Sequence, residues 1–229
     1  MKSPNSRAKR SQSKRQAEAK DLTQRVEAIF TRLGEENPDP RCELYYRTPF
    51  QLLVSVVLSA QTTDKMVNRC MKPVYDEGFT PERAVELGAE GLLPLIRSIG
   101  FAPTKSKNIA RLSKILLDSH GGGVPHDRTA LEALPGVGKK TASVILAELW
   151  DEPVLAVDTH VFRVGKRWGL HGESTPEKAA IRLMEVINRR FLPKAHHWMI
   201  LHGRYTCKAR RPRCDVCVIR HLCPSADSA

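Results

Sequence analysis

Apolar residues recur along this chain with the period of a helix. Val26, Ile29, Phe30 and Leu33 fall at i, i+3, i+4 and i+7, one face of a helix that begins near residue 20. Gly34 is expected to end it. Phe50, Leu53, Val54, Val57 and Leu58 repeat the pattern at i, i+3, i+4, i+7 and i+8, and Gln61 continues the same face at i+11. A polar group at the end of an apolar stripe either finds a hydrogen-bond partner or lines an opening. Shorter helices are expected over 65–76, 81–87, 90–98, 104–118 and 127–134, punctuated by Gly78, Gly88, Gly100 and the glycines at 121–123. No run alternates apolar and polar residues as a half-buried strand does. The pattern predicts an all-α protein.

One helix pair carries candidate chemistry. The stretch "DRTALEALPGVGKKTASVILAELW" reads as helix, hairpin, helix over about 127–150. Asp127 is placed to cap the first helix, and Pro135 to end it. Gly136 and Gly138 permit a tight turn, and Ala142, Ile145, Leu146 and Leu149 mark the buried face of the second helix. Free N–H groups at the start of that helix, beside Gly136, Val137 and Gly138, form an anion site without base preference, suited to a nucleic-acid phosphate. Lys139 and Lys140 follow directly. Spacing alone favours two phosphate-holding lysines. The positive end of the helix and a neighbouring lysine also disfavour a protonated amine, the condition for a nucleophile. Eighteen residues on, an apolar run from Val154 to Val157 delivers Asp158, an N-cap candidate, followed by Thr159 and His160.

Charge and cysteines sharpen this picture. The formal net charge is +12. Residues 1–20 hold seven Lys/Arg and one Glu, residues 204–221 hold six Lys/Arg and one Asp, and the remainder is close to neutral. Charge this localised points to a polyanion such as nucleic acid; for the N-terminal run, a solvated surface fits equally. Residues 1–19 hold almost no large apolar residue and read as a disordered basic arm. No segment is apolar enough for a membrane span or a secretory signal, so the chain is expected inside the cell, with DNA and without a membrane. Cys42 and Cys70 stand alone, whereas Cys207, Cys214, Cys217 and Cys223 follow C-x6-C-x2-C-x5-C. Four thiolates in one compact loop set form a metal site. Zinc sites usually pair two C-x-x-C units, so a cubane iron–sulfur cluster fits at least as well. Arg204, Lys208, Arg210, Arg211 and Arg213 surround the first two cysteines, where they serve a DNA backbone, the anionic cluster, or both.

The blocks "LLVSVVLSAQTTDKMVN", "LPGVGKKTASVIL", "VDTHVFRV" and "HHWMILHGRYTC", with the cysteine spacing, resemble the endonuclease III family of DNA glycosylases from about residue 22 to 224. The resemblance implies a bilobal helix-hairpin-helix glycosylase fold. A six-helix barrel lobe is expected over 42–152, and a discontinuous lobe holding a [4Fe-4S] cluster over 20–41 and 153–229, with duplex DNA in the groove between them. It implies a nucleophilic Lys140, a catalytic Asp158, and cluster ligands Cys207, Cys214, Cys217 and Cys223. Gln61 would fill the gap left by a flipped nucleotide. In "SIGFAPTKSKN" Phe101 stands where relatives carry an aliphatic wedge; its alternative is ordinary core packing. DNA contacts are expected from Gln61, Phe101, Gly136, Val137, Gly138, Lys139, His160, Arg204, Lys208, Arg210 and Arg211. The implied activity is a base excision repair glycosylase and abasic-site lyase, acting as a monomer on oxidised pyrimidines and abasic sites in double-stranded DNA. Two rivals differ. A mismatch adenine glycosylase lacks the hairpin lysine and carries a catalytic Glu on the helix that here reads "VSVVLSAQTTD". A non-catalytic DNA-binding module predicts binding without turnover.

Overall fold

A computed structural model describes the backbone of residues 4–226 and 228 and the side chains of 18–226 and 228. In chain order the helices are α1 (Pro4–Glu36), α2 (Pro49–Ser59), α3 (Asp64–Asp76), α4 (Pro81–Leu95), α5 (Ala102–His120), α6 (Arg128–Glu132), α7 (Lys139–Trp150), α8 (Thr159–Arg167), α9 (Pro176–Val186) and α10 (Leu192–Tyr205). Two single 3-10 turns follow, at Cys214–Val216 and Arg220–Leu222. Among the described residues there is no strand, so the fold is all-α, as the periodicity predicts. None of these helices is long and apolar enough to cross a membrane.

Contacts divide the chain into two compact units, one formed by Met1–Pro40 with Pro153–Ala229 and the other by Arg41–Glu152. In the second unit α2 is central. Every residue from Phe50 to Leu58 is buried, so the helix has no polar face, where its spacing suggested a single buried stripe. The reason is enclosure, because α3, α5 and α7 all pack against it. Its two long polar side chains are satisfied inside. The Gln51 amide donates to Phe79 O at 3.3 Å while Gln51 Oε1 accepts from Arg47 N at 2.8 Å, and Ser55 Oγ lies 2.9 Å from the Tyr75 hydroxyl. Unsatisfied, each buried group would cost about 1–3 kcal/mol. Beside this core, α4 and α5 pack along one another. The two helices expected over 81–87 and 90–98 meet at Gly88, whose φ of 58° and ψ of −175° break α4 in the middle. Gly88 is the residue type that accepts such a backbone.

In the first unit, the α1 stripe of Val26, Ile29, Phe30 and Leu33 is fully buried among α8, α9 and α10 residues such as Val164, Leu183 and Met199. Phe30 lies at the centre, with ring centroids 5.6 Å from Phe191, 6.1 Å from Trp168 and 6.2 Å from Trp198. A Phe side chain buried this completely contributes roughly 1.5–3 kcal/mol.

Two expectations for α1 are corrected. Gly34 does not end the helix, which continues to Glu36. A Cβ at Gly34 would stand 3.4 Å from Trp198 Cζ2, so this glycine serves a close approach and not a stop. The basic segment expected to be disordered is helical from Pro4; residues 1–3 lie outside the described residues. Ala, Lys, Arg, Gln and Glu dominate this stretch and are strong helix formers. The packed turn at Val26–Leu33 supplies the costly nucleus from which the helix propagates.

Gly203 on α10 tests the packing of α8 on α10. A Cβ there would stand 3.0 Å from His160 Cβ and 3.1 Å from Val164 Cγ2. Gly203→Ala is expected to cost about 1–3 kcal/mol through overpacking, measured as a lower Tm. Gly172→Ala, whose Cβ meets open space, is expected to stay within about 0.5 kcal/mol. Equal Tm values in the two variants would contradict the close helix approach.

Candidate functional site

A helix leaves its first four N–H groups without intrahelical acceptors. In this chain side chains occupy that position at most helix starts. Thr48, Thr63, Thr80, Asp127, Asp158 and Thr175 each accept from a backbone N–H of the first turn. The starts of α5, α7 and α10 have no side-chain cap hydrogen bond, and of these three α7 alone has glycine, Gly138, as its N-cap. The hairpin before it is tight. Val137 N donates to Leu134 O at 3.0 Å, Val137 is buried, and Gly136 has a φ of +84°. A Cβ at Gly136 would stand 3.0 Å from Asn108 Nδ2 and 3.1 Å from Val57 Cγ1, so both backbone and space call for glycine. Gly138, Lys139 and Lys140 are exposed. The result is an open, positively polarised helix end flanked by two lysines. On α7 the buried face holds Ala142, Ile145 and Leu146 as expected, with Leu149 half-buried.

Asp158 caps α8, its Oδ1 accepting from Val161 N at 2.8 Å. The run before it, Leu155, Ala156 and Val157, is buried in the core of its unit and fixes where the carboxylate stands. Lys140 belongs to one compact unit and Asp158 to the other. His160 is half-buried, with a would-be Cβ of Gly203 against it and its Nδ1 3.2 Å from Arg163 Nη2. An arginine N–H can only donate, so in this pair Nδ1 is the acceptor. Burial first, and then Arg163 and Arg204, push its pKa down, against an opposing pull from Asp158.

The two candidate duplex-entering residues lie in turns. Gln61 is not on the α2 stripe. That helix stops at Ser59, Thr63 caps α3 through Met66 N, and Gln61 falls between them, exposed, with a φ of +59°. Phe101 is the N-cap of α5, with a φ of +61°, and is 65% exposed. The alternative of core packing for Phe101 is thereby removed. Left-handed backbone in residues other than glycine is strained and persists only where surrounding structure enforces it.

Cys207, Cys214, Cys217 and Cys223 line one cavity with Trp168 and His202. Among the described residues no three His, Cys, Asp or Glu side chains converge as on a single metal ion. Four thiols around a cavity suit a multi-atom cluster better. Burial pushes the Cys217 and Cys223 thiols up, and neighbouring sulfurs act in the same direction. Thiolates at Cys217 and Cys223 are therefore favoured by bound positive charge, which iron supplies. Pattern reading missed the residues that hold this loop. Arg167 Nη1 reaches Cys207 Sγ at 3.4 Å and Lys208 O at 2.6 Å, and its Nη2 reaches Ala209 O at 3.1 Å. One turn earlier, Arg163 Nη2 donates to Gly203 O at 2.9 Å and Cys207 O at 3.2 Å. Their i, i+4 spacing on α8 was the available signal. Lys208, Arg210, Arg211 and Arg213 are exposed around the loop, and Arg204 is half-buried in the last turn of α10.

Residues 54–189 match the family described as "HhH-GPD superfamily base excision DNA repair protein", and residues 207–223 match the "Iron-sulfur binding domain of endonuclease III". The chain is 50% identical over 198 residues to endonuclease III of Rickettsia conorii, covering 86% of this chain and 94% of that one. It is 48% identical over 195 residues to endonuclease III of Escherichia coli K12, covering 85% and 92%. Among solved structures, a trapped endonuclease III–DNA covalent intermediate superposes with a TM-score of 0.82 at 40% identity, over 90% of this chain and 97% of that one. A thermostable thymine-DNA glycosylase, 21% identical, shares the fold with a TM-score of 0.78 over 93% of this chain and 100% of that one.

The cysteine assignment has a direct check. Cys214→Ala is expected to abolish the broad visible absorbance of an iron–sulfur protein and lower its iron content. Cys70→Ala, at a cysteine outside the cavity, is expected to keep both. Unchanged iron content in Cys214→Ala would contradict the ligand set.

Proposed function

This chain belongs to the endonuclease III family of base excision repair proteins, and on that premise we propose that it excises oxidised pyrimidines from duplex DNA and then cuts the strand 3′ to the abasic site. It is a DNA glycosylase and abasic-site lyase, it acts on DNA, and it carries a [4Fe-4S] cluster. The observation that carries the residue-level reading is the open α7 terminus, uncapped by any side chain and followed by two exposed lysines. The family relation also removes both rivals: turnover is expected, and the hairpin lysine is present.

C1′ of a stacked nucleotide is out of reach, so the damaged nucleotide must leave the helix. The amides at Gly136–Gly138 and the α7 terminus hold a backbone phosphate, and Lys139 adds charge beside it. The neutral amine of Lys140 is the nucleophile that this reading requires. Lys140 Nζ then attacks C1′, forming an N–C bond as the glycosidic bond breaks, and the proton that the amine gives up leaves with the base. Asp158 is assigned to stabilise the positive charge that develops on the sugar and to help by proton transfer. The sugar ring opens to a Schiff base. Loss of a C2′ proton breaks the C3′–O bond, and water releases Lys140. Gln61 and Phe101 occupy the space vacated in the stack. Cys207, Cys214, Cys217 and Cys223 hold the cluster. With all four positions taken by protein thiolates, its role is to close a loop carrying Lys208, Arg210 and Arg211 toward phosphates.

Borohydride trapping on a duplex with one oxidised pyrimidine tests this. A covalent adduct is expected with the parent protein and with Lys139→Ala, and none with Lys140→Ala. An adduct in Lys140→Ala would reassign the nucleophile, and an oxidised purine trapped equally well would overturn the lesion class. Removing Lys139 is expected to reduce the slope of log affinity against log salt by about 1, the signature of one lost phosphate contact.

A further inference from the structure

Lys105 is the only buried lysine or arginine among the described residues, at 7% exposure. It lies in the first turns of α5 on the same face as Ile109, Leu112 and Leu116, at i, i+4, i+7 and i+11. A lysine on an apolar stripe is costly unless its ammonium is used. Burial pushes its pKa down, with no carboxylate opposing the shift. All its observed acceptors are backbone carbonyls from the end of α2. Nζ donates to Leu58 O at 2.9 Å and to Ala60 O at 2.6 Å. These carbonyls have lost their intrahelical donors, and a cation at a helix C-terminus is favoured by the helix dipole.

The position of this contact gives it a further meaning. Ala60 immediately precedes Gln61. Lys105 N donates to Phe101 O at 3.0 Å, so the same residue bonds to both turns. Gly100 approaches the first turn directly, its would-be Cβ 3.8 Å from Gln61 O. Gln61 and Phe101 both hold left-handed backbone, which needs enforcement from outside the residue.

We propose that Lys105 is a positioning residue that locks the Gln61 turn to the Phe101 turn, so that both side chains enter the duplex at a fixed spacing. The inference rests on the reading above that Gln61 and Phe101 enter DNA. Lys105 itself touches neither substrate nor cluster.

The test is a mutant cycle with two substrates, using the full chain with its cluster. Lys105→Met is expected to slow excision of an oxidised pyrimidine from duplex DNA roughly tenfold to a hundredfold, as for a misplaced functional group. On an abasic site in a single-stranded oligonucleotide, with no stack to enter, its trapping rate is expected to stay within about twofold of the parent. Lys105→Met combined with Gln61→Ala and Phe101→Ala should be no slower on duplex than Gln61→Ala with Phe101→Ala alone, because coupled residues are not additive. Effects that multiply, or equal losses on both substrates, assign Lys105 to general stability and overturn the inference. Parental duplex rates in Gln61→Ala and Phe101→Ala alike overturn the underlying reading instead. Circular dichroism and visible absorbance confirm folding. If Lys105→Met does not fold, Lys105→Gln, which keeps one shorter donor, takes its place in the same cycle.

Discussion

Unmatched backbone groups at helix ends are the constraint on which the rest of this molecule depends. The ten α-helices among the described residues have ten sets of free N–H groups and ten of free carbonyls, each needing a partner or water. Threonine or aspartate closes six of the starts. The proposed chemistry stands where this routine solution is varied. At α7 the cap is missing, and the open amides are left to a phosphate. At α8 the cap is Asp158, so one carboxylate both starts a helix and stands ready at its N-terminal end. At the end of α2 the carbonyls go to a buried ammonium in place of water.

The unit that carries the cysteines solves a different problem, the concentration of like charge. Basic side chains crowd residues 204–221, and such a loop would repel itself if it were folded by hydrophobic burial alone. Two further arginines, on α8, hold the loop from inside. Arg163 and Arg167 spend their donors on the backbone of residues 203–209 and on Cys207 Sγ. Lys208, Arg210, Arg211, Arg213 and Arg220 face solvent. An anionic cluster held by the four cysteines, as proposed, would offset the positive loop.

Period and punctuation made much of the fold legible. The α1 stripe, the break at Gly88, the Asp127 cap, the hairpin glycines and the apolar run into Asp158 all depend on local backbone and side-chain geometry. Motif order carried the family. What pattern reading mistook were residues whose role is set from elsewhere in the fold. Gly34 reads as a stop and is a point of close approach to Trp198. Gln61 reads as the end of a stripe and is a strained turn, because Thr63 begins a new helix two residues later. The α2 stripe reads as one face and is one side of a helix enclosed all round. Residues 4–19 read as disordered because they hold no core, yet helix propensity and a packed nucleus further along are sufficient.

The sequence by itself determined the helical class, the hairpin, the four-cysteine set, the localised charge and the family, because each is written in residues close together along the chain. Tertiary structure decided which polar groups are buried and what they hold. Lys105 is the clearest instance. Along the chain it is one basic residue at the start of an expected helix, and its acceptors lie 45 and 47 residues away. No local pattern specifies such a contact, because a hydrogen bond across that separation exists only once the core between its partners has formed. The same holds for Arg167 and the cysteine loop, 40 to 42 residues apart. Local periodicity sets where helices begin, and long-range burial sets which of their ends remain open.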